Sequence, residues 1–354
     1  MAEGVVRTVL GDVPAASLGM TLIHEHLHMD CSTLAAAHGY VPDPDPGEFD
    51  LAAATECRWN PGAHPDNYRF TQHDPVLDDL VDYRELGGGA IVDATPFDLD
   101  RNPAALARLS RESGLHVVMG SGYYLEATHR AFLPAGDEES ATYDAIVADH
   151  VLGSDGIHPG MIGEIGTSDP PTEGELRVVR GAARASLDTG LPLSIHLHPW
   201  GDNADRVLSA VDETGLGIET VLLNHMTTAV GEDERLRGLL RTGVQLSFDL
   251  FGFDHSLLGP GRWPPSDDEG VATIAALQRE GFGPQVMMSQ DVGVRTRLRQ
   301  YGGWGYGHML RHLVPLLGAH GVTSEGIRQL FVENPANFLA LRQGVAPSTS
   351  PTHR

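Results

Sequence analysis

The chain reads as an α/β protein, a (β/α)8 TIM barrel preceded by a short N-terminal β-hairpin. Two observations predict this. Between residues 20 and 293, eight short apolar, β-branched runs alternate with longer stretches of helical composition, and eight parallel strands close such a barrel. Histidines and acidic residues also recur at the C-terminal ends of these runs, the end at which barrel enzymes assemble their sites.

In chain order, the first 18 residues read as a hairpin that closes the barrel floor. Strands are expected in MTLIHEH (20–26), GGAIVDATP (88–96), HVVMGSGYY (116–124), GMIGEIGT (160–167), LPLSIHLH (191–198), TVLLNHM (220–226), GVQLSFDLFG (243–252) and QVMMSQDVG (285–293). Gly87, Gly88 and Gly89 lack the Lys-Ser/Thr of a phosphate-binding loop and read as a tight helix-to-strand turn. TEGELRVVRGAARASLDTG (172–190) opens with a Thr cap and an acidic first turn and ends at glycine, which predicts a helix. Residues 271–281 and 308–318 read the same way. The segments 40–75 and 254–270 are rich in Pro, Asp and Gly, follow strand ends, and are expected to cover the site. APSTSPTHR (346–354) reads as a disordered tail. No internal repeat or linker divides the rest, so residues 1–345 are taken as a single domain.

Composition removes several classes of function. A formal charge of −24, with no basic run, disfavours nucleic acid and anionic membrane. No stretch approaches the roughly 20 apolar residues of a membrane span, and MAEGVVRTVLGD lacks the features of a secretory signal. A cytoplasmic protein is expected. Its two cysteines, Cys31 and Cys57, are too few for a disulfide scaffold and are expected to be free thiols.

His24-Glu25-His26 carries the first chemical signal. Alternate residues of a strand share a face, so both histidines can meet one metal ion. Glu164, His196, His225 and Asp291 each lie near the C-terminal end of another expected strand, where ligands must converge. Imidazole and carboxylate in this ratio suit zinc or a similar first-row ion, and the lack of cysteine ligands argues against a purely structural zinc.

These residues and motifs resemble the phosphotriesterase-like branch of the amidohydrolase superfamily, over roughly residues 5–342. The motifs are GMTLIHEHL (19–27), GEIGTS (163–168), SIHLH (194–198), LLNHMT (222–227), SQDVG (289–293) and ENPANFL (333–339). The resemblance implies a metal-dependent hydrolase with two divalent ions, zinc first, with Mn2+, Co2+ or Fe2+ as alternatives. By that resemblance His24, His26 and Asp291 match ligands of the buried ion, and His196 and His225 match ligands of the more exposed one. Many members bridge the pair with a carbamylated lysine, but all 24 basic residues here are arginine. Glu164 falls at that position, so its carboxylate and a water or hydroxide are expected to bridge the ions; a mononuclear site stays open. A water between two cations becomes acidic enough to act as hydroxide near neutrality, and Asp291 is expected to take its proton and pass it to the leaving group.

Substrate contacts are expected from the loops. Tyr124 stands where family members place an aromatic side chain beside the metals; it either hydrogen-bonds the reacting oxygen or packs at the rim. Leu250 occupies a position where acyl-homoserine lactonases tend to carry arginine, a departure from that branch. DLFG (249–252) with YGGWGYGH (301–308) resembles phosphotriesterase-related proteins, a branch that includes hydrolases of N-acyl amides with acidic head groups. Arg295, Arg297 and Arg299 follow the Asp291 strand, and Arg297, then Arg295, are the candidates to hold an anionic group. His198 is taken either as a substrate contact or as support for the metal site. His28, His255 and His308 read as mouth-filling, loop and packing residues. The expected activity is hydrolysis of a small carboxylic amide, ester or lactone, with phosphotriester hydrolysis as runner-up and a non-enzymatic metal- or ligand-binding barrel behind both. A homodimer is implied by the resemblance.

Overall fold

The computed structural model describes residues 4–37, 46–258 and 262–342. Each of the eight expected runs contains a parallel barrel strand: Met20–Glu25, Gly88–Asp93, His116–Met119, Ile162–Gly166, Leu193–His196, Val221–Leu223, Gln245–Phe248 and Val286–Met288. Their side chains are buried almost without alternation, as expected where helices cover one face of a sheet and the barrel interior the other.

Strands one to three pair in order, as do strands four to eight. Backbone hydrogen bonds join these two sheets along both seams. On one, the Asp291 N–H donates to the His24 carbonyl (3.1 Å) and the His26 N–H to that of Val292 (3.1 Å). On the other, Gly163 N–H donates to Ser121 (2.7 Å) and Met161 N–H to Met119 (3.3 Å). Three residues expected to bind metal, His24, His26 and Asp291, thus also help to close the barrel.

The N-terminal hairpin is present, Val5–Thr8 pairing with Gly11–Pro14. It seals the floor: Val6, Ala15 and Leu18 pack with the inward-facing Ile23, Val92, Leu222 and Met287. The helix expected at 172–190 spans Glu173–Thr189. Thr172 and Glu175 form a reciprocal capping box at its start, and Gly190 ends it at φ +74°. The segment 271–281 falls within Asp267–Arg279, and 308–318 is a π-helical turn, Met309–Leu313, running into Val314–Ala319.

One expected loop differs. The 40–75 segment contains the helix Leu51–Trp59, started by the Asp50 side chain accepting from the Ala53 N–H at 2.9 Å. Its flanks, rich in Pro and Gly, masked a short stretch of helix formers. Residues 346–354, and 38–45 within the covering segment, lie outside the described residues. Both cysteines are free and buried, and among the described residues no helix is long and apolar enough to cross a membrane.

Candidate metal centre and active site

His24 and His26 end the first strand and face the barrel mouth together. His24 Nε2 lies 3.5 Å from Glu164 Oε2 and 3.7 Å from Asp291 Oδ1, while His26 Nε2 is 3.3 Å from both Glu164 Oε1 and Asp291 Oδ1. Across Glu164, His196 Nδ1 approaches Oε2 at 3.1 Å and His225 Nε2 at 3.8 Å. All six residues expected to bind metal are therefore brought together, with one Glu164 oxygen toward His26 and the other toward His24, His196 and His225.

The donor set fits divalent ions on the protein's own chemistry. Both ring nitrogens of His24 are buried without a hydrogen-bond partner, an arrangement that is costly for a polar group unless something coordinates it. His24, His26 and Glu164 form one compact donor group, and Glu164, His196 and His225 another. These two groups share Glu164, as a bridging carboxylate requires.

Electrostatics keep the Glu164 and Asp291 carboxylates ionised. Burial alone would raise Glu164, but the charge of His24 and hydrogen bonds from His196, His225 and His26 hold it well below the ordinary carboxylate range. Asp291 is likewise held low, its burial outweighed by a hydrogen bond from His26 and by the charges of His24 and His225. Burial and the neighbouring His225 push His196 down to about 4, whereas burial of His26 is outweighed by Asp291 and Glu164, which raise it to about 10, and burial of His225 is outweighed by Asp249, which raises it well above the ordinary imidazole range.

The backbone is set for the same end. His225 and Asp291 adopt φ +65° and +56°, a left-handed conformation uncommon for such residues and often found at functional sites. The surroundings hold both there. His225 N–H donates to both oxygens of Asp249 (2.9 and 3.1 Å), and Asp291 N–H donates to the His24 carbonyl (3.1 Å).

Several supporting residues were not singled out from the sequence. Asp249 pairs with His225 Nδ1 at 3.0 Å and so orients that histidine; it lies 4.0 Å from His24 Nδ1, too far for a hydrogen bond. It lies just past the seventh strand, Gln245–Phe248, within the run expected to form it, and the rule that sites gather toward the C-terminal ends of barrel strands would have found it. Glu25, between the two histidines, points away from them. It accepts from the Ser289 hydroxyl (2.7 Å) and from the N–H groups of Gln290 and Val292 (both 2.8 Å), clamping the loop that carries Asp291. Burial pushes its carboxyl up to about 7 against those hydrogen bonds. Thr95 meets His26 Nδ1 at 2.9 Å, and Asp93 accepts from the Leu27 N–H at 2.6 Å.

The expected substrate contacts divide. Tyr124 reaches the centre: its hydroxyl is 3.0 Å from His196 Nδ1, and its backbone N–H is fixed by Asp98 at 2.9 Å. It lines the pocket over the ligands together with Met29, Leu99, Phe253, Leu257 and Val294. Arg297 does not line that pocket. Its guanidinium is buried and donates to the carbonyls of Phe251 (2.8 Å), Gln290 (2.7 Å) and Gly252, tying the seventh and eighth strand loops together. Arg295 pairs with Asp66 at 3.0 Å and donates to the Arg69 carbonyl at 3.1 Å, and Arg299 pairs with Asp82 at 2.8 Å. None of these arginines lines the pocket; Arg297 fastens two loops, and this placement lends no support to the anion clamp expected of Arg295 and Arg297. His198 also lies outside the pocket wall, its Nδ1 accepting from the Trp200 N–H at 3.2 Å.

Comparison with known proteins agrees with this geometry. The sequence profile of the Phosphotriesterase family matches residues 4–339. The chain belongs to the phosphotriesterase family. Among family relatives, N-acetyltaurine hydrolase of Danio rerio is 34% identical over 96% of this chain and 99% of its own length. The crystal structure of a resiniferatoxin-binding protein from Rhodobacter sphaeroides superposes with a TM-score of 0.87 at 34% identity, covering 95% of each chain. The phosphotriesterase homology protein of Escherichia coli, solved with phosphate in its active site, matches with a TM-score of 0.74 at 26% identity, covering 91% of this chain and 99% of the other. As a phosphotriesterase-family protein, this chain is a metal-dependent hydrolase of small molecules.

Proposed function

We propose that the chain hydrolyses a small secondary carboxamide, with N-acetyltaurine as the first candidate, at a pair of divalent ions held by His24, His26, Glu164, His196, His225 and Asp291. The observation that carries this reading is the sharing of Glu164 by two donor groups at the base of a largely apolar pocket. Similarity over nearly the whole chain to a hydrolase of N-acetyltaurine supports an amide as substrate.

Bound divalent ions, zinc first, would supply an acidified water and polarise the carbonyl. The protein's own groups do the rest. Asp291, held ionised, accepts the proton of the attacking water and returns it to the departing amine. Tyr124, fixed through Asp98, presents its hydroxyl beside His196, where it can donate to the reacting oxygen. The pocket residues Met29, Leu99 and Phe253 exclude water from the acyl group. The proposal retains a cytoplasmic homodimer, whose assembly state light scattering would report. It does not require Arg295 or Arg297 to bind an anionic head group.

Acetate release from N-acetyltaurine is the test, with an uncharged N-alkylacetamide, an aliphatic lactone and a phosphotriester run beside it. Turnover of the amides that disappears with chelator and returns with Zn2+ or Mn2+ is the expected result. Turnover confined to lactones, or to the triester, would overturn the amide assignment.

A further inference from the structure

His255 was expected to be an unremarkable loop residue, and the structure places it in the wall of the pocket that Phe253, Leu257 and Asp291 also line. It is only 3% exposed, and its Nε2 has no hydrogen-bond partner. The other ring nitrogen fixes what Nε2 is. Nδ1 lies 3.1 Å from the Ser256 carbonyl, which can only accept, so Nδ1 carries the hydrogen. In the neutral ring Nε2 is therefore a bare acceptor, and burial together with the nearby Arg297 holds the ring neutral, its pKa pushed down to about 4.

The acceptor is also held in place. The ring packs on Phe253 with centroids 4.1 Å apart. Ser256 is pinned by its N–H to the Arg58 carbonyl (2.9 Å) and its hydroxyl to the Trp59 carbonyl (2.6 Å), so the carbonyl that orients His255 is anchored to a separate helix. Other polar side chains in this wall are already engaged: Cys31 donates to the Tyr68 carbonyl (3.5 Å), Tyr124 contacts His196, and the Ser256 hydroxyl is used as described. A buried acceptor without a partner carries a desolvation cost that a ligand donor would recover.

We propose that His255 is a specificity-determining residue that accepts the N–H of a secondary amide substrate. An ester or lactone presents an oxygen lone pair to the same nitrogen and is disfavoured, as sites built around a hydrogen bond reject analogues that lack it. This inference rests on the amide reading above and adds the group that selects for it.

The test uses the metal-loaded enzyme with three acetyl compounds: N-acetyltaurine, its N-methyl derivative and the O-acetyl ester of 2-hydroxyethanesulfonate. His255→Phe should lower kcat/KM for N-acetyltaurine about tenfold more than for the other two, the usual size of one hydrogen bond. His255→Gln, which keeps an acceptor, should restore part of that preference. A purely structural role would lower all three substrates in proportion, and that outcome overturns the inference. Wild-type enzyme supplies a second measurement that needs no variant: a phosphonamidate inhibitor, which has the N–H, should bind about tenfold more tightly than the matching phosphonate ester. Equal inhibition constants would also overturn it. A wild-type enzyme that turns over no secondary amide would sink the proposed function and this inference together, whereas amide turnover with unchanged selectivity in the variant sinks this inference alone.

Discussion

The floor of the site and its cover are built in different ways. The floor consists of six side chains at or near strand ends, supported by residues of the barrel strands or the turns just beyond them: Glu25, Asp93, Thr95 and Asp249. The cover is made of segments that meet through a few contacts, such as Ser256 with Trp59 and Arg58 with Asp254 at 3.2 Å. Strand ends are held by the barrel ladder, so the floor can be preorganised for chemistry, while the cover can vary its wall without disturbing the ligands.

Substitutions can test that division, beginning with the floor. Asp291→Asn keeps an oxygen for metal but removes the proton acceptor, and kcat should fall by about 10²- to 10⁴-fold with metal content partly retained. Near-normal turnover would remove Asp291 from its proton-transfer role. Asp249→Asn should weaken metal affinity by about 10- to 100-fold, read by chelator competition, because its carboxylate orients His225 through Nδ1. Unchanged affinity would mean that His225 is oriented by the backbone alone.

Arg297→Ala lies on the boundary between floor and cover. It strips three loop carbonyls of their donor, and denaturant unfolding should show a loss of about 2–4 kcal/mol. KM for an anionic amide should move no more than KM for a neutral one; a selective rise for the anion would restore the clamp reading. Ser256→Ala, within the cover, should cost about 1 kcal/mol or less of stability. If it instead abolished metal binding, floor and cover would not be separable.

The floor was legible because strand geometry limits where a side chain can point. His24 and His26 share a face by alternation, and Glu164, His196, His225 and Asp291 follow from their position at strand ends. Asp249 obeyed the same rule, yet no ligand motif drew attention to it. The cover was not legible in the same way. Arg295 and Arg297 follow the Asp291 strand, but proximity along the chain says nothing about whether a guanidinium turns toward the pocket or toward carbonyls beneath it. His255 showed the converse, since its loop carried no pattern and only the tertiary fold set its ring in the pocket wall.

By itself, the sequence determined the barrel, its eight strands and which six side chains would converge as candidate metal ligands, because hydrophobic periodicity and strand alternation are local properties that propagate along an element. The absence of lysine also directed attention to Glu164 as the candidate bridge. Tertiary structure alone decided that Asp249 orients His225, that Arg297 fastens two loops, and that His255 joins the pocket wall with a buried, unengaged nitrogen. Each of those depends on which groups from distant segments compete for the same hydrogen bond, and that competition is settled only when the segments pack together.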